Sequence, residues 1–240
     1  MVHYDVAKRL PPSRQLSFDE LRSRSRRGGA RVGAGRPRGA GARVPHRERG
    51  ELKGPCPAHV TIRIRRGLPS LRCRALVREF QRSLRASCER GDFRVLQYSL
   101  QRDHAHLLFE ADSVASLACG MKSIGARLAR AVNRTFGHTG AVFDGRFHLH
   151  ALRTPREVHA ALAYVLLNAR RHWTKRFGNP PPVRLDEASS SRWFTGWAKL
   201  PFENAAPPDI PEVAAPHTRL ARVGWRRHGP IDPAAVPGCR

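Results

Sequence analysis

Residues 93–111, "FRVLQYSLQRDHAHLLFEA", decide the fold. Two runs rich in Val, Leu, Phe and Tyr flank a polar turn at Arg102 and Asp103, which predicts two neighbouring strands, "FRVLQYSLQ" and "HAHLLFEA". The second strand carries His104 and His106. On a strand, residues i and i+2 share a face, so the two imidazoles project side by side. Held that way, they can chelate one divalent ion and leave most of its coordination sphere open to water and substrate. The same spacing equally suits the wet face of an ordinary sheet. "FHLHAL" sets His148 and His150 at the same interval, and pattern alone ranks neither pair.

On the N-terminal side, "HVTIRI" alternates Val60, Ile62 and Ile64 with His59, Thr61 and Arg63, the period of a half-buried strand. "LRCRALVREFQRSLRASCERG" spaces Leu76, Phe80 and Leu84 as in an amphipathic helix that stops at Gly91. On the C-terminal side, residues 114–136 repeat the helical pattern with Leu117, Met121, Ile124, Leu128 and Val132 on one face. "GAVFDGRFHLHALR" predicts a short strand, and Thr154-Pro155 with Glu157 starts a third helix, "PREVHAALAYVLLNARRHW". The order β-α-β-β-α-β-α predicts an α+β, ferredoxin-like antiparallel sheet with helices packed on one face.

Around this domain, expected at 55–176, lie two different flanks. Residues 1–54 are expected to form a disordered basic arm, because thirteen Lys/Arg against four Asp/Glu up to position 50, with many Gly and Pro, cannot bury enough apolar surface to order themselves. Inside it, "GRPRG" places Arg36 and Arg38 as in the core of a minor-groove AT-hook, or as a basic linker that meets phosphate without specificity. Residues 177–240 form a Pro/Ala-rich C-terminal extension. There Trp193, Phe194, Trp197 and Trp225 read as anchors to the domain, and "WFTGW" reads as an anchor or as a surface for stacking on bases.

The 240 residues carry a formal net charge of +25, nearly all of the positive charge being Arg. An excess this large points to a polyanionic partner, and guanidinium forks favour nucleic acid, although GC-rich coding also enriches Arg. No apolar run approaches the ~20 residues of a membrane span, and the N-terminus lacks a signal-peptide core, so a cytoplasmic, nucleoid-associated protein without a membrane partner is expected. Five cysteines without a CxxC pair support neither a disulfide framework nor a cysteine zinc site. Arg127, Arg130 and Arg134 on the second helix, and Arg170 and Arg171 with Lys175 on the third, read either as a phosphate track or as solvated faces.

Three segments in order carry a family resemblance. "QYSLQRDHAHLLFE" resembles the "NHvHLLv" element of the insertion-sequence-200-like single-tyrosine transposases with a His-hydrophobe-His motif. "GAVFDGRFHLHALR" resembles that group's "G-x-F-q-x-R-F", and "YVLLNARRHW" its "Y-i-x-x-N-P-v-r-a". Together they span roughly residues 58–175, and the REP-associated tyrosine transposases are the branch most resembled.

The resemblance implies metal binding by His104 and His106 and a tyrosine nucleophile at Tyr164. Of the other two tyrosines, Tyr4 lies in the arm and Tyr98 in a strand; without the resemblance, Tyr164 would read as a core or boundary residue. Asn168, four residues on and so ~6 Å along the same helix face, is the implied third ligand, with a cap or surface role as the alternative. Two departures stand out: Asp103 where the family usually has Asn, and Ala169 where it usually has Pro.

A tyrosine with a pKa of ~10 needs help as a nucleophile, and Mg²⁺ or Mn²⁺ held by neutral ligands would polarise the scissile phosphate. The implied activity is nicking and rejoining of single-stranded or hairpin DNA, including REP-like palindromes, by transesterification through a 5′-phosphotyrosine that leaves a free 3′-OH. The alternative is an inactive or recruited DNA-binding protein of the same fold. A water-using nuclease would not need Tyr164, and RNA binding lacks the usual aromatic pair on the strands. The site could be built from one chain or shared across a homodimer.

Overall fold

A computed structural model describes residues 54–200 and 210–238. The strands are β1 (Cys56–Arg63), β2 (Glu89–Arg90), β3 (Phe93–Leu100), β4 (His104–Ala111) and β5 (His148–Ala151). The helices are α1 (Arg74–Arg85), α2 (Val114–Phe136), α3 (Pro155–Leu166), α4 (Asn168–Phe177) and the short α5 (Arg219–Arg222). The strands form one antiparallel sheet in the order β2-β3-β4-β1-β5, giving the expected α+β fold.

One face of the sheet is packed as expected. Leu76, Phe80 and Leu84 of α1, with Leu117, Ile124 and Leu128 of α2, meet Val60, Ile62, Tyr98, Leu107 and Phe109. The opposite face is covered too, where the sequence predicts helices on one face alone. Val158, Leu162 and Leu166 of α3, joined by Phe194, Trp225 and Ile231 of the C-terminal extension, pack on Leu96 and Leu108. Every residue of β3 and β4 is buried, so the continuous "LLF" of 107–109 is the mark of a strand enclosed on both sides. A bulge between Val95 and Gln97 shifts the register of β3 by one. It turns Phe93, Val95, Tyr98 and Leu100 to the first core and Leu96 to the second.

The helix ends follow local chemistry. Ser113 with Ser116, and Thr154 with Glu157, form capping boxes at the starts of α2 and α3, and Pro155 opens α3. α1 ends at Arg85, short of the expected stop. Gly91, at φ +51°, instead makes the turn between β2 and β3, a left-handed conformation that glycine adopts without strain. The predicted third helix is broken in two at Leu167, whose φ of −105° and ψ of 11° leave the helical region; no proline or glycine stands at the break.

The extension is fixed by polar anchors as well as apolar ones. Glu212, fully buried, meets Arg192 and the indole N–H of Trp193. Glu110, fully buried in β4, accepts hydrogen bonds from the backbone of His217 and Thr218 and from the Thr218 hydroxyl. Trp193, Trp197 and Trp225 all donate their indole N–H within the protein, which makes them anchors. Among the described residues, no helix is long and apolar enough to cross a membrane.

Candidate active site

Strand alternation turns His104, His106, Leu108 and Glu110 away from α1 and α2, onto the face covered by α3. The pairing of β1 with β4 sets Thr61 directly across from His106 and His59 across from Leu108. As a result, His106 Nδ1 lies 3.1 Å from both Thr61 Oγ1 and His59 Nε2. The His104 and His106 rings meet edge-on with centroids 4.7 Å apart. From α3, the half-buried Tyr164 brings its ring edge-on to His106 at 5.1 Å and to His59 at 5.8 Å. The guanidinium of Arg171 lies 5.5 Å from the centre of the Tyr164 ring, and His172 stands 5.6 Å from His104.

Loss of solvent makes His59, His106 and His172 weak bases. Loss of solvent, reinforced by His104, His59, His172 and Arg171, pushes His106 down to about 2. Burial and then His150 lower His59 to about 4, and burial followed by His104 and Arg171 lowers His172. These rings are therefore neutral at neutral pH, the form that offers a lone pair to a cation.

Asp103 Oδ1 lies 2.7 Å from His104 Nδ1, and this hydrogen bond is the main reason the Asp103 carboxyl sits below its ordinary value. An ionised carboxylate only accepts, so Nδ1 of His104 carries a hydrogen, and in the neutral imidazole Nε2 is the nitrogen left to meet a cation.

Two buried polar groups have no hydrogen-bond partner among the described residues. His106 Nε2 is shielded from solvent and unpaired, and both amide atoms of the fully buried Asn168 are likewise unpaired. A buried polar atom without a partner costs about 1–3 kcal/mol, so such atoms mark positions that another group completes. Two imidazole nitrogens and one amide oxygen are donors a divalent cation can use. Among the described residues, no group of three or more His, Cys, Asp or Glu side chains is placed to hold a metal ion.

The other residues singled out in the sequence are distributed differently. Asn168 opens α4, beyond the break at Leu167, and so does not share one continuous helix with Tyr164. Arg127, Arg130 and Arg134 belong to α2, which packs on the opposite face of the sheet. Arg127 donates to the carbonyl and hydroxyl of Ser83, Arg134 pairs with Glu79 at 3.1 Å, and Arg130 is exposed. Arg170 donates to the carbonyls of Ala234 and Pro181, tying the extension to α4. Arg36 and Arg38 lie outside the described residues.

The second histidine pair also reaches the site face. His150 sits across from His59 and His148 across from Thr61, both exposed on the edge strand. His59, Thr61 and His172 are additional residues of the cluster. The alternation in "HVTIRI" already set His59 and Thr61 opposite the core residues, but only the pairing with β4 brings them to His106.

Residues 56–164 match the family model described as transposase, IS200-like, a stretch running from the first residue of β1 to Tyr164. No curated protein matches the chain. Among solved structures, a REP-associated tyrosine transposase bound to a REP hairpin is 17% identical, covers 55% of this chain and 77% of its own, and superposes with a TM-score of 0.42. A transposase-like protein from Deinococcus radiodurans R1 is 14% identical over 46% of this chain and 86% of its own, with a TM-score of 0.35. A bacterial tRNA(His) guanylyltransferase-like protein in complex with ATP is 13% identical over 56% of this chain and 66% of its own, at 0.39. The similarity of the chain to the IS200-like transposases is carried by residues 56–164.

Proposed function

We propose that the protein is a single-tyrosine transposase of the REP-associated kind that nicks and rejoins single-stranded or hairpin DNA by metal-assisted transesterification. The observation that carries this reading is the edge-on approach of Tyr164 to His106 at 5.1 Å, which joins a tyrosine on a helix to the histidine pair on a strand.

Tyr164 Oη attacks the scissile phosphorus; the new Oη–P bond forms as the P–O3′ bond breaks. The phenol proton is balanced by the proton gained at the leaving oxygen, giving a 5′-phosphotyrosine and a free 3′-OH. Because the phosphodiester energy is kept in that linkage, a second 3′-OH can reverse the step without ATP. His104, His106 and Asn168 would hold Mg²⁺ or Mn²⁺, which when bound stabilises the charge developing on the phosphate oxygens. Asp103 fixes the proton of His104 on Nδ1. Thr61 and His59 hold His106 through its Nδ1, leaving Nε2 toward the site. Arg171 sets positive charge beside the Tyr164 ring, where an anionic substrate enters.

The test is a covalent adduct. The full-length protein is incubated with Mn²⁺ and a pool of 3′-labelled, hairpin-bearing single strands with randomised flanks, then run on a denaturing gel. Wild type is expected to retain label on the protein and Tyr164→Phe to lose it. Absence of any adduct with wild type overturns the reading, and cleavage that persists in Tyr164→Phe assigns the chemistry to water.

A further inference from the structure

A cleft of about 1030 Å³ opens beside the candidate site, with Asp103, His104 and His172 along one side. Its volume lies at the upper end of what small-molecule pockets enclose. The walls are strongly basic. Of six Arg and Lys side chains lining it, Arg72 is neutralised by Asp186 and Arg170 is engaged by backbone carbonyls. Arg102, Lys175 and Arg184 are exposed and meet no acidic side chain among the described residues; Arg176 lies over the Phe177 ring at 5.2 Å.

At the outer end, Trp173 and Phe177 of α4 stand one helical turn apart, with centroids separated by 4.5 Å. They are 42% and 52% exposed. An i,i+4 pair adds only about 0.2–0.5 kcal/mol to a helix, so helix stability does not account for holding two large rings in solvent. Exposed aromatics set among unpaired cations are the arrangement on which nucleobases stack while phosphates are neutralised.

We propose that this cleft binds a single-stranded DNA segment continuous with the strand at Tyr164, with Trp173 and Phe177 as its base-stacking platform and Arg102, Lys175, Arg176 and Arg184 along its backbone. The choice of DNA rests on the proposed function; the stacking platform rests on the exposed ring pair and its charged surroundings. Single strands fit better than duplex, whose bases are already stacked on one another and offer no free face.

The test is fluorescence anisotropy of the full-length protein with labelled oligothymidylate, the duplex of equal length and the corresponding RNA, at several salt concentrations. Trp173→Ala and Phe177→Ala are each expected to weaken single-strand binding about tenfold, with circular dichroism unchanged and Trp173→Phe retaining most of the affinity. Neither should alter the salt dependence, because no phosphate contact is lost. Lys175→Ala should lower the slope of log K against log salt by about 0.7.

Wild-type affinity in the Trp173→Ala/Phe177→Ala double variant overturns the inference, as does an equal loss on duplex or a preference for RNA. The two proposals fail separately. An adduct at Tyr164 with unaltered binding by the double variant sinks the platform alone; absence of any adduct with impaired single-strand binding sinks the transposition chemistry alone.

Discussion

Glu110 offers the sharpest quantitative test of how the site face is held. It is fully buried on β4, four residues beyond His106, with Oε2 accepting from His217 N at 2.8 Å and Oε1 from Thr218 N at 3.0 Å and Thr218 Oγ1 at 2.6 Å. Arg94 Nη1 lies 3.6 Å from Oε2, with the Arg94 side chain only 4% exposed. Glu110→Ala removes the two oxygens that accept three hydrogen bonds and takes a buried counter-charge from a buried guanidinium. Breaking a buried pair from one side costs about 3–5 kcal/mol. Arg94 retains Glu89 and Asp112, each at 3.8 Å but about half exposed, so a cost near the lower end, about 3 kcal/mol, is expected. That is a large share of an ordinary 5–15 kcal/mol stability. Urea unfolding at pH 7, followed by circular dichroism, measures it. Thr218 caps α5 through Ala221 N, so limited proteolysis should cut the segment after residue 210 sooner in the variant. A loss below 1 kcal/mol with unchanged proteolysis would refute the reasoning.

Further outcomes follow from the same geometry. Asp103→Ala leaves His104 Nδ1 without its acceptor and should weaken Mn²⁺ binding about 10–100-fold in a calorimetric titration, whereas Asp103→Asn, which keeps an accepting oxygen, should stay within a few-fold of wild type. Without divalent metal, folding stability should be fully present above pH 6.5 and decline as pH falls. His59 near 4 and His106 near 2 resist protons that the unfolded chain takes up, so each contributes a slope approaching about 1.4 kcal/mol per pH unit, from about 6.5 down to its folded value. Urea midpoints at pH 7, 6 and 5 should fall for wild type and fall less for His59→Asn. Gly120→Ala gains about 1 kcal/mol of helix propensity, but its Cβ would enter the ring of Phe93, which is itself packed on Phe109 at 5.2 Å. Overpacking at about 1–3 kcal/mol wins, and thermal unfolding should show net destabilisation.

Much of this architecture is written in local sequence. The alternation of Val60, Ile62 and Ile64, the helical spacing from Leu117 to Val132 and the Thr154-Pro155-Glu157 start all appear where hydrophobic period and capping chemistry place them. Gly91 misleads because a helix stop and a tight turn make the same demand on the backbone. The second packed face was concealed for a different reason. Phe194, Trp225 and Ile231 are scattered in a Pro-rich stretch without period, and only their return to Leu96 and Leu108 gives them meaning. At the site, the family-like segments around them, not spacing alone, single out His104, His106, Tyr164 and Asn168. His59 and Thr61 depended on strand register, and the break at Leu167 carries no proline or glycine to announce it.

The β1–β4 register has a consequence for how such a chain can change. Thr61 is opposite His106, while Val60 and Ile62, one residue to either side, fill the helical core. Deleting a single residue within either strand would exchange those faces, sending imidazoles into the hydrocarbon and isoleucine into the site, so chemistry and fold would be lost together. Removing two would restore the faces but offset the partners. Side chains here can be replaced one at a time; the length of β1 and β4 cannot.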